Sequence, residues 1–101
     1  MQALPIFINI TQRLCVVIGG GEVALRKVSL LLRANASVKL FAPEICSQLQ
    51  ALVDAEKITY IPAHFEPQHI HMACLVIAAT DDDAVNCAVS VAAKAQNIPV
   101  N

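Results

Sequence analysis

The residues able to do chemistry in this chain are concentrated at one turn. Its only three glycines, Gly19, Gly20 and Gly21, stand together between the apolar run that starts at Cys15 and the segment Glu22-Val-Ala-Leu-Arg-Lys27. Gly19, Gly21 and Ala24 have the spacing G-x-G-x-x-G/A, which binds dinucleotides where it follows a strand and opens a helix. Each small residue has a task there. Gly19 permits the tight turn out of the strand, Gly21 leaves bare backbone for a pyrophosphate, and Ala24 lets the helix pack close to the sheet. The amides of Gly21, Glu22 and Val23 would face the phosphates at the positive end of the helix dipole. Glu22 would contribute only its backbone, because its carboxylate repels a phosphate. The plainer alternative is a tight strand-to-helix turn with no ligand.

Other chemical groups are sparser. An acid that would hold the ribose hydroxyls is expected about 20 residues after the first glycine, but residues 38–42 read Val-Lys-Leu-Phe-Ala. Glu44 is the nearest acid, and it serves equally well as a first-turn helix residue stabilised by the dipole. No arginine in this loop welcomes a 2′-phosphate, so NAD is preferred over NADP. The run Thr80-Asp-Asp-Asp83 has three readings: a loop beside the nicotinamide half of a cofactor, a cation site, or a helix cap made by Thr80 or Asp81. Capping is expected in either of the first two cases. His69 and His71 lack a third ligand at metal-binding spacing, so an exposed loop and no metal site are expected. Arg26 and Lys27 read as a solvated helix face near the phosphate turn. Cys15, Cys46, Cys74 and Cys87 contain no Cys-x-x-Cys pair and read as small buried residues kept reduced, which implies cytoplasm.

These groups must be positioned by alternating elements. Residues 13–18 form a β-branched run ending in glycine, a buried strand. From Glu22 the period changes, with Ala24, Val28, Leu31 and Leu32 on one helical face. Asn35 can take the left-handed conformation that ends such a helix. Further strands are expected at 37–41, 58–63, 74–79 and from 98 onward, and further helices at 44–56 and about 83–96. In the second of these helices Ile45, Leu49, Leu52 and Val53 form the apolar side. Val85, Val89 and Ala92 are the expected core of the last. Residues 64–72 read as an irregular connection. The run at 74–79 is the most apolar and is expected at the centre of the sheet. Apolar strands alternating with helices indicate a parallel sheet of about five strands with helices on both faces, an α/β Rossmann-like three-layer fold of order 3-2-1-4-5. The carboxyl ends of the first and fourth strands then adjoin at the switch point where ligands bind.

Composition bounds the possibilities. A chain of 101 residues is one domain. Hydrophobic residues make up 56% and charged residues 15%, with a mean hydropathy of +0.59. Either both sheet faces are covered, or apolar surface awaits a partner or a further segment. No apolar run approaches the roughly 20 residues of a membrane span, and the start lacks the basic region of a signal peptide. A net charge of −1 gives no reason to expect nucleic acid or anionic lipid.

Across nearly its whole length the sequence resembles the N-terminal domain of siroheme synthase, a family that includes precorrin-2 dehydrogenase/sirohydrochlorin ferrochelatases. The resemblance is carried by Leu4-Pro-Ile-Phe7, by Gly-Gly-Gly-x-Val-Ala-x-Arg-Lys at 19–27, by Ala-Ala-Thr-Asp-Asp-x-x-x-Asn at 78–86, and by Asn-Ile-Pro-Val-Asn at 97–101. It implies NAD-dependent oxidation of precorrin-2 to sirohydrochlorin, often followed by Fe²⁺ insertion. By that resemblance Gly21, Glu22 and Val23 contact the cofactor at the phosphate turn, and Pro43 and Glu44 lie at the adenosine side. Ala78, Ala79 and Thr80 line the loop after the fourth strand, with Asn101 at the end of the fifth. The family commonly has glycine where this chain has Asn35. Its catalytic aspartate, its homodimerisation region and its remaining tetrapyrrole-binding elements fall beyond Asn101, so no catalytic residue is expected within these residues. The chain is expected to bind NAD weakly and to turn over little or no precorrin-2. The alternative is a nucleotide-sensing regulatory module without catalysis, although such a module more often keeps an acid at the end of its second strand. A methyltransferase fits the glycine spacing less well, and a pure assembly domain explains only the apolar excess.

Overall fold

The computed structural model describes residues 6–101, so Leu4 and Pro5 of the leading motif lie outside the described residues. Strands β1 (Leu14–Ile18), β2 (Ser37–Ala42), β3 (Thr59–Pro62) and β4 (Leu75–Ala78) alternate with helices α1 (Glu22–Arg33), α2 (Ser47–Asp54) and α3 (Asp83–Ala95), and a 3-10 turn at Pro67–Ile70 precedes β4. All pairings are parallel, in the order β3-β2-β1-β4. The Rossmann-like reading therefore holds, with four strands in place of about five. The expected fifth strand is a single parallel bridge between Val100 and Val76. It lies on the outer side of β4, where the order 3-2-1-4-5 puts it. Pro99 has no N–H to extend that ladder, although its carbonyl still accepts from the Val76 N–H at 2.9 Å.

The side-chain period of two divides the apolar residues between two cores. On one face Cys15, Val17, Val38, Leu40 and Ile77 pack with Ala24, Val28 and Leu31 of α1 and Leu49 of α2. On the other, Val16, Ile18, Phe41 and Val76 pack with Ile70 and with Val89, Ala92 and Ala93 of α3. This is the three-layer arrangement, and it explains an apolar content of 56% without a membrane. Among the described residues no helix is long and apolar enough to cross one. The apolar run at β4 does not mark a central strand, because β1 and β2 occupy the interior of the sheet. A strand reads apolar throughout when both its faces are covered, wherever it sits in the order.

Helix ends correct several expectations. α1 ends as expected, with Asn35 left-handed at φ 60°. The Ala36 N–H donates to the Leu31 carbonyl at 3.1 Å, a bond that ties off the last turn. α2 starts at Ser47 rather than at Glu44. The reason lies in contacts from elsewhere in the fold: the Tyr60 hydroxyl of β3 donates to the Ala42 carbonyl at 2.9 Å, with the Pro43 carbonyl 3.3 Å away, and the Cys46 N–H is taken by the Gly20 carbonyl at 2.8 Å, so 43–46 form a bent loop over the sheet end. The cap of α3 is Asp82, whose carboxylate accepts from the Ala84 and Val85 N–H groups at 2.9 and 3.3 Å, rather than Thr80 or Asp81. Residues 64–72 are not wholly irregular or exposed either. His69 stacks on Phe41 with ring centroids 4.2 Å apart, and its Nδ1 accepts from the Glu66 N–H at 3.1 Å, whereas His71 is exposed.

The cysteines divide in the same way. Cys15 is buried, Cys46 and Cys74 are half-buried, and Cys87 is exposed, because it lies off the α3 stripe that carries Val89, Ala92 and Ala93. Burial pushes the Cys15 thiol up to about 12, helped by the Cys74 sulfur 3.8 Å away and opposed by Arg13. Two outcomes follow. At pH 8 an aromatic disulfide reagent should label Cys87 rapidly and Cys15 only on unfolding. Because the folded pKa lies above the ordinary 9.0, the contribution of Cys15 is complete below pH 9 and is lost as pH rises through 12. Thermal melts over that window should therefore fall more steeply for the natural chain than for Cys15→Ala, and parallel curves would contradict this.

Candidate dinucleotide site

The carboxyl ends of the strands open into a cleft of about 1130 Å³, at the switch point of the sheet. The loops after β1, β2, β3 and β4 all contribute to its lining. The three glycines that lie at its floor have different reasons to be glycine. Gly19 has φ 141°, which L side chains rarely adopt, and a Cβ there would strike the Ala79 carbonyl. A Cβ on Gly20 would strike the Glu44 carbonyl, and the Gly20 carbonyl accepts from the Cys46 N–H at 2.8 Å. Gly21 differs from both: no protein atom lies within 4 Å of the place its Cβ would take.

Gly21 is also the N-cap of α1, and no side chain caps that helix. The first amides of a helix have no intrahelical partner, so α1 presents free N–H groups and the positive end of its dipole to the cleft. At α3 the same need is met within the chain by Asp82. The charged side chains lining the cleft are acidic (Glu22, Glu44, Asp81 and Asp82), together with His64, and no lysine or arginine lines it. An anion here would have only backbone amides to hold it, since no cationic lysine or arginine side chain lines the cleft. Arg26 is exposed and Lys27 half-buried on α1, and neither reaches the cleft.

Gly19, Gly20, Gly21, Glu22, Val23, Pro43, Glu44, Ala79 and Thr80 all line the cleft. Ala24 is fully buried beneath it, packing α1 on the sheet. Ala78 is half-buried in β4, outside the lining. Asn101 lies beside β4, where its N–H donates to the Val76 carbonyl and its carbonyl accepts from the Ala78 N–H, both at 2.9 Å. Glu44 is exposed on the rim rather than in a helical turn, so its role as a first-turn residue is excluded. The sequence reading missed His64 and Phe65, which join the lining after β3. The available signal was topological: in a parallel sheet every loop leaving a strand carboxyl end reaches this face. Among the described residues no three His, Cys, Asp or Glu side chains converge as a metal site would require.

Comparison with known proteins agrees with this geometry. A family described as "Putative NAD(P)-binding" matches residues 6–101. Siroheme synthase of Nitrosospira multiformis is 51% identical over the whole chain, and that of Methylobacillus flagellatus 50%. The chain spans about a fifth of the length of these curated relatives, 22% of each. The solved structure of SirC, a precorrin-2 dehydrogenase, superposes with a TM-score of 0.86 at 20% identity, covering 98% of this chain and 48% of that one, a likeness of fold. The resemblance to siroheme synthases is borne out, the nicotinamide dinucleotide cofactor, expected from sequence to be NAD, agrees with the family match, and the chain belongs to that NAD(P)-binding family.

Proposed function

We propose that this chain is the NAD-binding domain of an enzyme that oxidises precorrin-2 to sirohydrochlorin. The observation that carries the binding part is Gly21, bare of protein neighbours at the uncapped N-terminus of α1. Its missing Cβ serves no internal contact, so the space it leaves suits a pyrophosphate. The substrate is supported by siroheme synthase relatives about half identical over the full chain. Gly21, Glu22 and Val23 would hold the pyrophosphate through their amides. Pro43 and Glu44 would border the adenosine ribose, with Ala79 and Thr80 on the nicotinamide side. Ala78 and Asn101 would act from β4 and its bridge, Asn101 only through its side chain. NAD is preferred because an acidic rim without a lysine or arginine opposes the extra phosphate of NADP.

Bound NAD⁺ supplies the hydride acceptor, while the chain binds and orients it. The acid or base for the substrate would come from the aspartate that the resemblance places after Asn101. Fe²⁺ insertion, a homodimer and a cytoplasmic setting belong to this proposal for the longer protein.

Titration with NAD⁺ should shift the amide resonances of residues 19–24, and NADP⁺ should bind about tenfold more weakly or worse. No shift with either nucleotide would sink the reading of the cleft, and equal affinities would remove the preference for NAD. Gly21→Ala should leave the melting temperature unchanged and weaken NAD⁺ binding about tenfold or more. Gly20→Ala should instead destabilise the fold by about 1–3 kcal/mol, because its Cβ overpacks against Glu44. Given NAD⁺ and precorrin-2, the chain alone should form almost no sirohydrochlorin; turnover at about 1 s⁻¹ or faster, ordinary for an enzyme, would contradict the catalytic role proposed for the aspartate that the resemblance implies.

A further inference from the structure

Thr80 lies in the cleft lining, yet its polar atoms are turned inward. The Asn86 side chain, one turn into α3, engages them together. Asn86 Oδ1 accepts from the Thr80 N–H at 3.2 Å and from the Thr80 hydroxyl at 2.7 Å. Asn86 Nδ2 donates to the Thr80 carbonyl at 3.0 Å. A carboxamide does this from one planar group, since it offers an acceptor and a donor side by side, whereas an ionised carboxylate has no donor for the carbonyl. The Thr80 hydroxyl also accepts from the Asp82 N–H at 3.2 Å, and Asp82 caps α3. The loop after β4 is thereby fastened to the first turn of α3 at every polar atom of Thr80.

This matters because of what Thr80 adjoins. A Cβ on Gly19 would meet the Ala79 carbonyl and then the Thr80 nitrogen, so the Ala79–Thr80 peptide abuts the bare backbone of the glycine turn. The position of that peptide sets the width of the cleft on the β4 side. The adenosine side is bounded separately by the loop after β2, which is held by Tyr60 and by the Cys46–Gly20 hydrogen bond.

Resting on the binding function proposed above, we propose that Asn86 is a positioning residue for the dinucleotide. It touches no ligand itself, and it fixes the Thr80 backbone so that the β4 loop fits the nicotinamide half. Thr80 accordingly contributes shape to the cleft rather than its own N–H, which is already engaged by Asn86.

The test compares NAD⁺ with ADP, which carries only the adenosine and diphosphate part, on the natural chain and on Asn86→Ala. The variant should lose about tenfold in affinity for NAD⁺, as expected when neutral hydrogen bonds that fix a loop are removed. Its affinity for ADP should be unchanged, and its Thr80 amide should exchange faster with solvent. Equal losses for both ligands would mean a merely structural role and overturn the proposal, as would unchanged NAD⁺ affinity or unchanged Thr80 exchange. If Asn86→Ala does not fold, Asn86→Gln gives the same comparison: its amide is kept but is one methylene too long to meet the Thr80 N–H and carbonyl together, so NAD⁺ binding alone should weaken. A natural chain that binds neither ligand would refute the cleft reading itself, and this proposal with it.

Discussion

The arrangement of the cleft depends on one close approach of backbone to backbone. β1 leaves the sheet between two neighbours, and at Gly19 and Gly20 its main chain lies against carbonyls of the loops after β4 and β2. Neither place has room for a Cβ. The turn can therefore stay low between the two loops, and α1 starts directly above the switch point with its free amides aimed into the opening. A bulkier turn would lift α1 and separate Ala24 from the sheet, where it is now fully buried. The helix dipole, the width of the cleft and the packing of the first core all follow from that approach.

A site built this way has an unusual charge balance. The groups that would meet phosphates are neutral amides with partial positive charge, and the acidic side chains among the otherwise largely apolar lining are carboxylates. Dipoles at a helix end act over about one turn, so the attraction is confined to the pyrophosphate position. The acidic rim acts beyond it. Such a cleft would discriminate by where negative charge falls, accepting it at α1 and opposing it near Glu44. A lysine near the turn would strengthen anion binding and weaken that discrimination.

The layers, the strand order and most of the cleft were legible in the sequence, because each rests on a local pattern: period two or 3.6, glycine spacing, and asparagine at a helix end. What was not legible depended on contacts between distant residues. Glu44 looked like a helical first-turn acid because no local rule shows that Tyr60, sixteen residues on, and the Gly20 carbonyl hold 43–46 out of the helix. Thr80 looked like a cap because a threonine just before a helix suits that role, and no local rule shows that its hydroxyl is taken by Asn86 while Asp82 does the capping. The run at β4 looked central because two-faced burial and central position produce the same composition. Glycines required by packing and a glycine free of protein neighbours also look alike in sequence, and only the surroundings of Gly21 separate it from Gly19 and Gly20.

The two helices that flank the cleft show why a chain would leave one N-terminus open. α1 and α3 both start at strand carboxyl ends facing the same opening, and both begin with an acidic residue in the first turn. At α3 the Asp82 carboxylate satisfies the amides, and the Asp82 N–H donates to the Thr80 hydroxyl, which joins the cap to the Thr80–Asn86 hydrogen bonds. A side-chain cap typically contributes about 1 kcal/mol, and a serine or aspartate at position 21 would supply one to α1 at no steric cost within the protein, since no protein atom approaches that Cβ position. Glycine there forgoes this stabilisation. Stability alone therefore does not explain Gly21, whereas a ligand that supplies the missing acceptor does.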